Sequence, residues 1–434
     1  MRPNERRWWS ALARCCLVAV LAAWTTAASP AEFRAEGLFL GTDTGNLKVR
    51  VGGGPASVPA APFGCARCHG RDARGGAEGA TKAPAIDWPS LSAATPARPA
   101  YTADSFLAAL TEGRSAAGRP LDRAMPRYTI DGAMARSLAD YLDELPQLER
   151  KGVSARAIAV AVPHRAGTRA LAEGFANGFR LAAEGRSFWG RSLDVRLCAA
   201  DEDGSCGEAF IVAGSTVDSD FAGAGTIELA PLSPASREAS YLRTIRASNA
   251  AALGALAERI GASVAGVAVV ADESRFGREA ERLAQDALSG RPVRRFDGLA
   301  DIPAGWAVLL LGGTSAAPPR TAGTPVFGIA DQIGPYLPAL VSSGYEVTVA
   351  DPYPELPDVP GHPEASRVER IGFVAGAVVR EALLRSGRDL TRARFLASLA
   401  AAPIGVGGLT LTWRQDRMAA SVEPTIIEFG RDKP

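Results

Sequence analysis

The sequence predicts a multidomain chain, with a small first unit over about residues 32–150 and an α/β unit over 152–434. Three observations carry that reading. The chain has 434 residues, enough for two or three domains. The stretch FGCARCHGRD, starting at Phe63, gathers two cysteines and one of only 3 histidines between Gly- and Pro-rich flanks. Beyond residue 155, apolar runs alternate with amphipathic stretches, as strands and helices do in parallel sheets covered by helices. The formal net charge of +1 points to neither nucleic-acid binding nor a polybasic membrane patch.

The N-terminus is set apart. MRPNERRWW carries Arg2, Arg6 and Arg7, and SALARCCLVAVLAAW is a short apolar run broken by Arg14. TTAASPAEF then supplies small residues that suit a signal peptidase, so residues 1–31 are expected to be a secretory signal removed after Ala28 or Ala31. A retained anchor is the alternative, although the run is short for a spanning helix of about 20 residues. Export to the periplasm would leave Cys65, Cys68, Cys198 and Cys206. Cys198 and Cys206 flank AADEDGS, a polar turn-like insert, and in an oxidising compartment they are expected to form a disulfide. Two neighbouring thiols are the alternative.

CARCH has the spacing for c-type haem attachment. Two thiols separated by two residues can each add to a vinyl group of one porphyrin, and His69 then offers its imidazole to the iron. A redox CxxC would instead be expected after a strand of a βαβ unit. A zinc site would need two more soft ligands nearby, and the other cysteines and His164 are far off in sequence. An electron-transfer haem takes a sixth ligand, and methionine raises its potential. Met125 stands in LDRAMPRYTIDG, where Pro126 imposes an extended backbone that suits a loop presenting a thioether. Met134 shares the spacing of Leu138, Tyr141, Leu142 and Leu145 and reads as part of a helix packing face.

With CARCHGRDARGG, APAIDWPSL, TADSFLAALTEG, GRPLDRAMPRY and ARSLADYLDELP in order, residues 32 to about 148 resemble a class I c-type cytochrome domain. The resemblance implies a small all-α fold around one covalently attached haem c, held by Cys65 and Cys68, with His69 and Met125 as axial ligands. The N-terminal extension EFRAEGLFLGTDTGNLKVRVGGGPASVPAAP departs from that pattern. Arg67, Arg71 and Arg74 surround the cysteine motif, and Arg119, Arg123 and Arg127 surround Met125. They would contact the haem propionates, form a docking ring for an acidic redox partner, or simply be solvated.

In the α/β unit, ARAIAVAVP, RSLDVRLCAAD, EAFIVAG, AGVAVVAD, WAVLLLGG, TPVFGIA, EVTVAD, GLTLTW and TIIEFG read as strands. RALAEGFANGFRLAAEG, RFGREAERLAQDALSG, RIGFVAGAVVREALLRSG and TRARFLASLAAA read as helices. Roughly 280 residues make about two sub-domains. The stretches SYLRTIRASNAAALGALAERIGASVAGVAVVADESRFGREAERLAQ and ERIGFVAGAVVREALLRSGRDLTRARFLASLAAAPIGVGGLTLTW are similar to type I periplasmic solute-binding proteins of the branched-chain amino-acid-binding family. That similarity implies an α/β fold of two lobes, one of 152–242 with 352–403 and one of 243–351 with 404–434, and a ligand cleft at strand C-terminal ends. The segment after the third strand, STVDSDFAGAGTIELAPLSPASREAS, departs from the family by showing neither the usual helix nor the further strand. Candidate ligand contacts are His164, Thr168, Ser215, Thr216 and Phe276, each of which could equally cap a helix or face solvent.

No G-x-S-x-G, GK[ST] loop or HExxH is present, and no nucleophile–base set is evident, so the chain is expected not to be an enzyme by itself. The functional expectation is a periplasmic haem electron carrier working with a dehydrogenase or another cytochrome. The alternative is a solute-binding or sensing protein of an ABC-type membrane transporter, its haem a redox reporter and its ligand amino-acid-like. A third reading makes the α/β unit a scaffold within an oxidoreductase complex.

Overall fold

The computed structural model describes residues 34–430 apart from 53, 79–80, 201–204, 218–220, 222–224, 233–240, 262, 272–274, 300, 312–323 and 415–417. The expected signal segment lies outside the described residues. The chain divides into two compact units after Pro146. No helix of the described residues is long and apolar enough to cross a membrane.

The first unit contains α1 (Ala35–Leu40), β1 (Lys48–Arg50), β2 (Ser57–Pro59), α2 (Ala66–His69), β3 (Gly76–Glu78), β4 (Thr81–Ala83), α3 (Trp88–Ser92), α4 (Ala103–Thr111), β5 (Arg127–Tyr128) and α5 (Gly132–Leu148). Three of these helix starts have a local cause. Asp87 accepts the N–H of Ser90 at α3, Thr102 and Ser105 form a reciprocal cap at α4, and Asp131 accepts the N–H of Met134 at α5. Along α5, Ala135, Leu138, Leu142 and Leu145 fall on one buried face, which packs with Leu38, Phe39, Val49, Cys65, Phe106 and Tyr128. Met134 is half-buried beside that face.

An all-α first unit is not what forms. The N-terminal extension supplies β1 and β2, which pair antiparallel, and β1 pairs again with β5 just beyond Met125. Gly52, with φ +67°, helps LKVRV and ASVP fold back on each other, and Val49 alone of β1 turns into the core. The polar character of the extension reflects a small sheet exposed on its other face.

The second unit starts with β6 (Ala157–His164), α6 (Arg169–Ala183), β7 (Ser192–Ala199), β8 (Ile211–Ala213), β9 (Ile227–Leu229) and β10 (Leu242–Arg243). These strands form one parallel sheet in the order β10-β9-β8-β6-β7. The chain continues through α7 (Asn249–Arg259), β11 (Gly266–Ala271), α8 (Arg275–Ala287), β12 (Val293–Arg295), β13 (Trp306–Leu311), β14 (Val326–Ile329), α9 (Ala330–Ile333), α10 (Leu337–Ser342) and β15 (Val347–Asp351). It ends with α11 (Arg367–Ser386), α12 (Arg392–Ala401), β16 (Ile404–Val406), β17 (Leu409–Leu411) and β18 (Thr425–Phe429). The second sheet runs β12-β11-β13-β14-β15-β18, parallel except for β18.

Both faces of the second sheet are covered, which is why its strands read as unbroken apolar runs. Val267, Val269, Ala307 and Leu309 pack with α7 and α8 on one side, whereas Val270, Val308, Leu310 and Val326 pack under α9 and α10 on the other. In the first sheet, Val160, Val162, Ile211 and Ala213 meet α6, α11 and α12. Its opposite face carries Ala161 and Val212 against Cys198, Cys206, Ala209 and Phe221. Cys198 and Cys206 are joined by a disulfide of S–S length 2.01 Å.

Helices α6 and α11 touch along their backbones. A Cβ at Gly178 would collide with the carbonyl oxygen of Glu369, and one at Gly372 with that of Phe175. The lobe boundary differs from the expected 403/404 division. The β16–β17 hairpin and Trp413 bury Ile404, Val406, Leu411 and the indole in the first lobe's core, and only β18 joins the second sheet. The crossing therefore follows Ala420. The crossing strands are bonded side by side: Thr244 N–H donates to the Met418 carbonyl, Ala420 N–H to that of Thr244, and Ala247 N–H to that of Pro352 at 2.7 Å.

Candidate functional site

The cysteine motif sits on one helical turn. Cys65 is the residue before α2 and is buried in the core, Cys68 is exposed, and neither is in a disulfide. Gly41, with φ +75°, ends α1, and a Cβ there or on Gly64 would strike the other segment's backbone, so both positions bring α1 against the turn. The Cys65 thiol points at the hydroxyl of Tyr128, 3.9 Å away, and Tyr128 donates to the carbonyl of Phe63. Burial pushes the Cys65 thiol up to about 11, and raises Tyr128 still further.

His69 closes the turn. Its Nδ1 lies 2.8 Å from the carbonyl oxygen of Pro84, just after β4. A carbonyl only accepts, so Nδ1 carries the proton and Nε2 keeps its lone pair. Burial also lowers the His69 pKa, favouring the neutral ring. Met125 packs against the apolar cluster that contains Cys65. Its loop is held by Arg127, whose guanidinium donates to the carbonyls of Met125, Leu121 and Asp122. Arg119 donates to the Ala97 carbonyl. Two of the arginines around Met125 thus hold backbone together.

The donor set fits a covalently attached haem: two reduced thiols on one turn, an imidazole with Nε2 available, and a thioether on the same apolar cluster. Among the described residues no three of His, Cys, Asp and Glu gather as a metal site.

In the second unit, four candidate residues come together at the C-terminal edge of the first sheet. His164 ends β6, and Ser215 and Thr216 follow β8. The Thr168 and Thr216 hydroxyls are 2.7 Å apart, and Thr216 also donates to the Pro163 carbonyl. Ser215 is fully buried, and its hydroxyl is spent within its own loop, donating to the Val217 carbonyl and accepting the Val217 N–H. Phe276 lies at the start of α8, apart from these four in the other lobe, and its side chain falls outside what is described.

A second group lies at the C-terminal ends of β14 and β15, and the sequence reading missed it. Arg246, on the first crossing, is buried and pairs with Asp331 at 2.6 Å while also bonding Asn249. Arg367 pairs with Asp351, which in turn accepts the N–H of Tyr353. Both guanidinium groups stand near the Tyr353 ring, 5.9 and 5.5 Å from its centre. Burial raises the Asp331 carboxyl, and Arg246 pulls it back down. A signal was available: in VFGIADQ and VTVADPY a charge follows an apolar strand at once, where parallel sheets place ligand contacts.

No family model and no curated protein matches the chain. Solved structures do match. An extracellular ligand-binding receptor from Verminephrobacter eiseniae ef01-2 aligns at 14% identity and TM-score 0.51, over 64% of this chain and 99% of that one. A possible leucine/isoleucine/valine-binding protein from Rhodopirellula baltica SH 1 aligns at 15% and 0.49, over 64% and 96%. A fatty acid ABC transporter substrate-binding protein from Thermomonospora curvata aligns at 15% and 0.47, over 66% and 95%. At such identities the likeness is one of fold: the second unit has the two-lobed α/β architecture of the type I periplasmic binding proteins.

Proposed function

We propose that this chain is an exported binding protein whose second unit takes a small molecule and whose first unit carries one haem attached through Cys65 and Cys68. One observation carries the binding role. The polar side chains of the two lobes gather at strand C-terminal ends, where α/β sheets hold ligands, on a fold shared with an extracellular ligand-binding receptor. The partner this implies is an ABC-type membrane transporter or a sensor, and the compartment is the periplasm. Thermal unfolding with a panel of amino acids, amides, alcohols and carboxylic acids tests it. A bound ligand at a hundred times its Kd stabilises by about 2.7 kcal/mol. Silence across the panel would leave a docking module in place of a binding protein.

The His69–Pro84 hydrogen bond favours a second role, for the haem-bearing unit. When bound, haem supplies a one-electron iron couple. Cys65 and Cys68 would tether it, and His69 Nε2 and the Met125 thioether would hold its iron. The unit would then exchange electrons with a periplasmic dehydrogenase or another cytochrome, or report redox state to the binding unit. Mature protein should keep a haem stain on a denaturing gel and lose it in the double variant Cys65→Ser, Cys68→Ser. Met125→Ala should remove the weak near-infrared sulfur–iron band. Colourless mature protein would end the haem reading and leave the binding reading standing.

A further inference from the structure

The hydroxyl of Tyr353 and both polar atoms of the Gln332 side chain are buried and, among the described residues, have no hydrogen-bond partner. The two residues are 3% and 8% exposed. They follow β15 and β14, which are adjacent strands paired at Ile329 and Ala350. A buried hydroxyl or carboxamide without a partner is unfavourable, and native proteins rarely leave one except where something else binds.

The charges beside them are already matched. Arg246 is held by Asp331 and Asn249, and Arg367 by Asp351. An amino acid would need a carboxylate for its ammonium group and a cation for its carboxylate. Here each such group is bound to the other, and opening the largely buried Arg246–Asp331 pair leaves an uncompensated charge. Among the described residues the unspent capacity is neutral: one O–H, one amide N–H₂ and one amide C=O.

Resting on the binding role above, we propose that the site at the ends of β14 and β15 takes an uncharged small molecule bearing a primary amide or urea group. Such a group presents C=O and N–H side by side, the complement of the Gln332 carboxamide in a ring of two hydrogen bonds. Tyr353 adds a further donor. The site discriminates against zwitterions because its charges are self-neutralised.

Calorimetric titration of the full mature protein with acetamide, urea, n-propanol and L-leucine tests this. Acetamide or urea should bind saturably and leucine should not. Tyr353→Phe and Gln332→Leu should each weaken amide binding about tenfold, the value of roughly one hydrogen bond. Tyr353→Phe, which removes an unsatisfied hydroxyl, should also leave the Tm of ligand-free protein unchanged or raised. Leucine binding without amide binding overturns the inference and keeps the binding role, and so does propanol binding alone. A lowered Tm for ligand-free Tyr353→Phe overturns it as well, because the hydroxyl would then already be bonded. Absence of binding by all four probes overturns it and counts against the binding role itself.

Discussion

The carboxylate of Glu149 accepts the backbone N–H of Ala393 at 2.7 Å. Glu149 is buried, takes a second hydrogen bond from Tyr241, and its own carbonyl accepts the N–H of Arg392. The start of the second unit is thereby fixed to the first turn of α12, where a negative charge suits the helix dipole. Arg392 is itself buried, donating to the carbonyls of Gly225 and Ala209, and Glu149 offsets part of its desolvation. Glu149→Ala is expected to destabilise the second unit by roughly 3 kcal/mol, as breaking one side of a buried charge cluster does. Urea unfolding followed by circular dichroism checks it, and Glu149→Gln, which keeps an acceptor, should lose less.

Gly178 offers a test of packing in place of charge. With no Cβ it lets α6 rest against the Glu369 carbonyl of α11. Gly178→Ala would raise helix propensity and would stabilise a free-standing helix. Here overpacking wins, and a loss of about 1–3 kcal/mol is expected. A higher Tm in the variant would contradict the backbone contact.

Reduction of the Cys198–Cys206 bond should act on one face of the first sheet. The bond closes a short loop, worth about 2–3 kcal/mol through the unfolded chain. It also holds Cys198, Cys206 and Ala209 over Ala161 and Val212. A reducing agent, or the pair Cys198→Ser and Cys206→Ser, should lower the thermal midpoint and speed hydrogen exchange in β6 and β8 relative to β11 and β13.

Glu369 makes the stability pH-dependent. Its carboxylate accepts the N–H and hydroxyl of Ser366 at the head of α11, and those hydrogen bonds hold its pKa below the ordinary 4.5. A depressed carboxylate contributes stability that is present above its unfolded value and lost as pH falls through the folded one. The denaturation midpoint of the parent should therefore exceed that of Glu369→Ala near neutral pH, with part of the gap closing as pH drops below 4.5. A gap that stays constant with pH would remove the ionic part of the cap.

What could be read beforehand follows how locally each feature is encoded. The unbroken runs GVAVVA and WAVLLL are contiguous, and their burial on both faces shows directly in the letters. The Pro84 partner of His69 lies 15 positions away, and Arg246 is 85 positions from Asp331, so each depends on a fold that brings distant segments together. The hairpin of β16 and β17 would alternate in the same way in either lobe. Its placement was decided by Trp413, whose indole donates to Thr244 on another crossing. The sheet in the first unit went unread because just one residue of β1, Val49, is buried.

The pairing of Val49 with Tyr128 and of Arg50 with Arg127 has a practical consequence. A minimal cysteine-motif module trimmed to begin near Phe63 would discard the strand that braces the residues immediately beyond Met125. Such an excised fragment should let the Met125 loop wander, so a fragment that keeps this loop braced must begin upstream of Lys48.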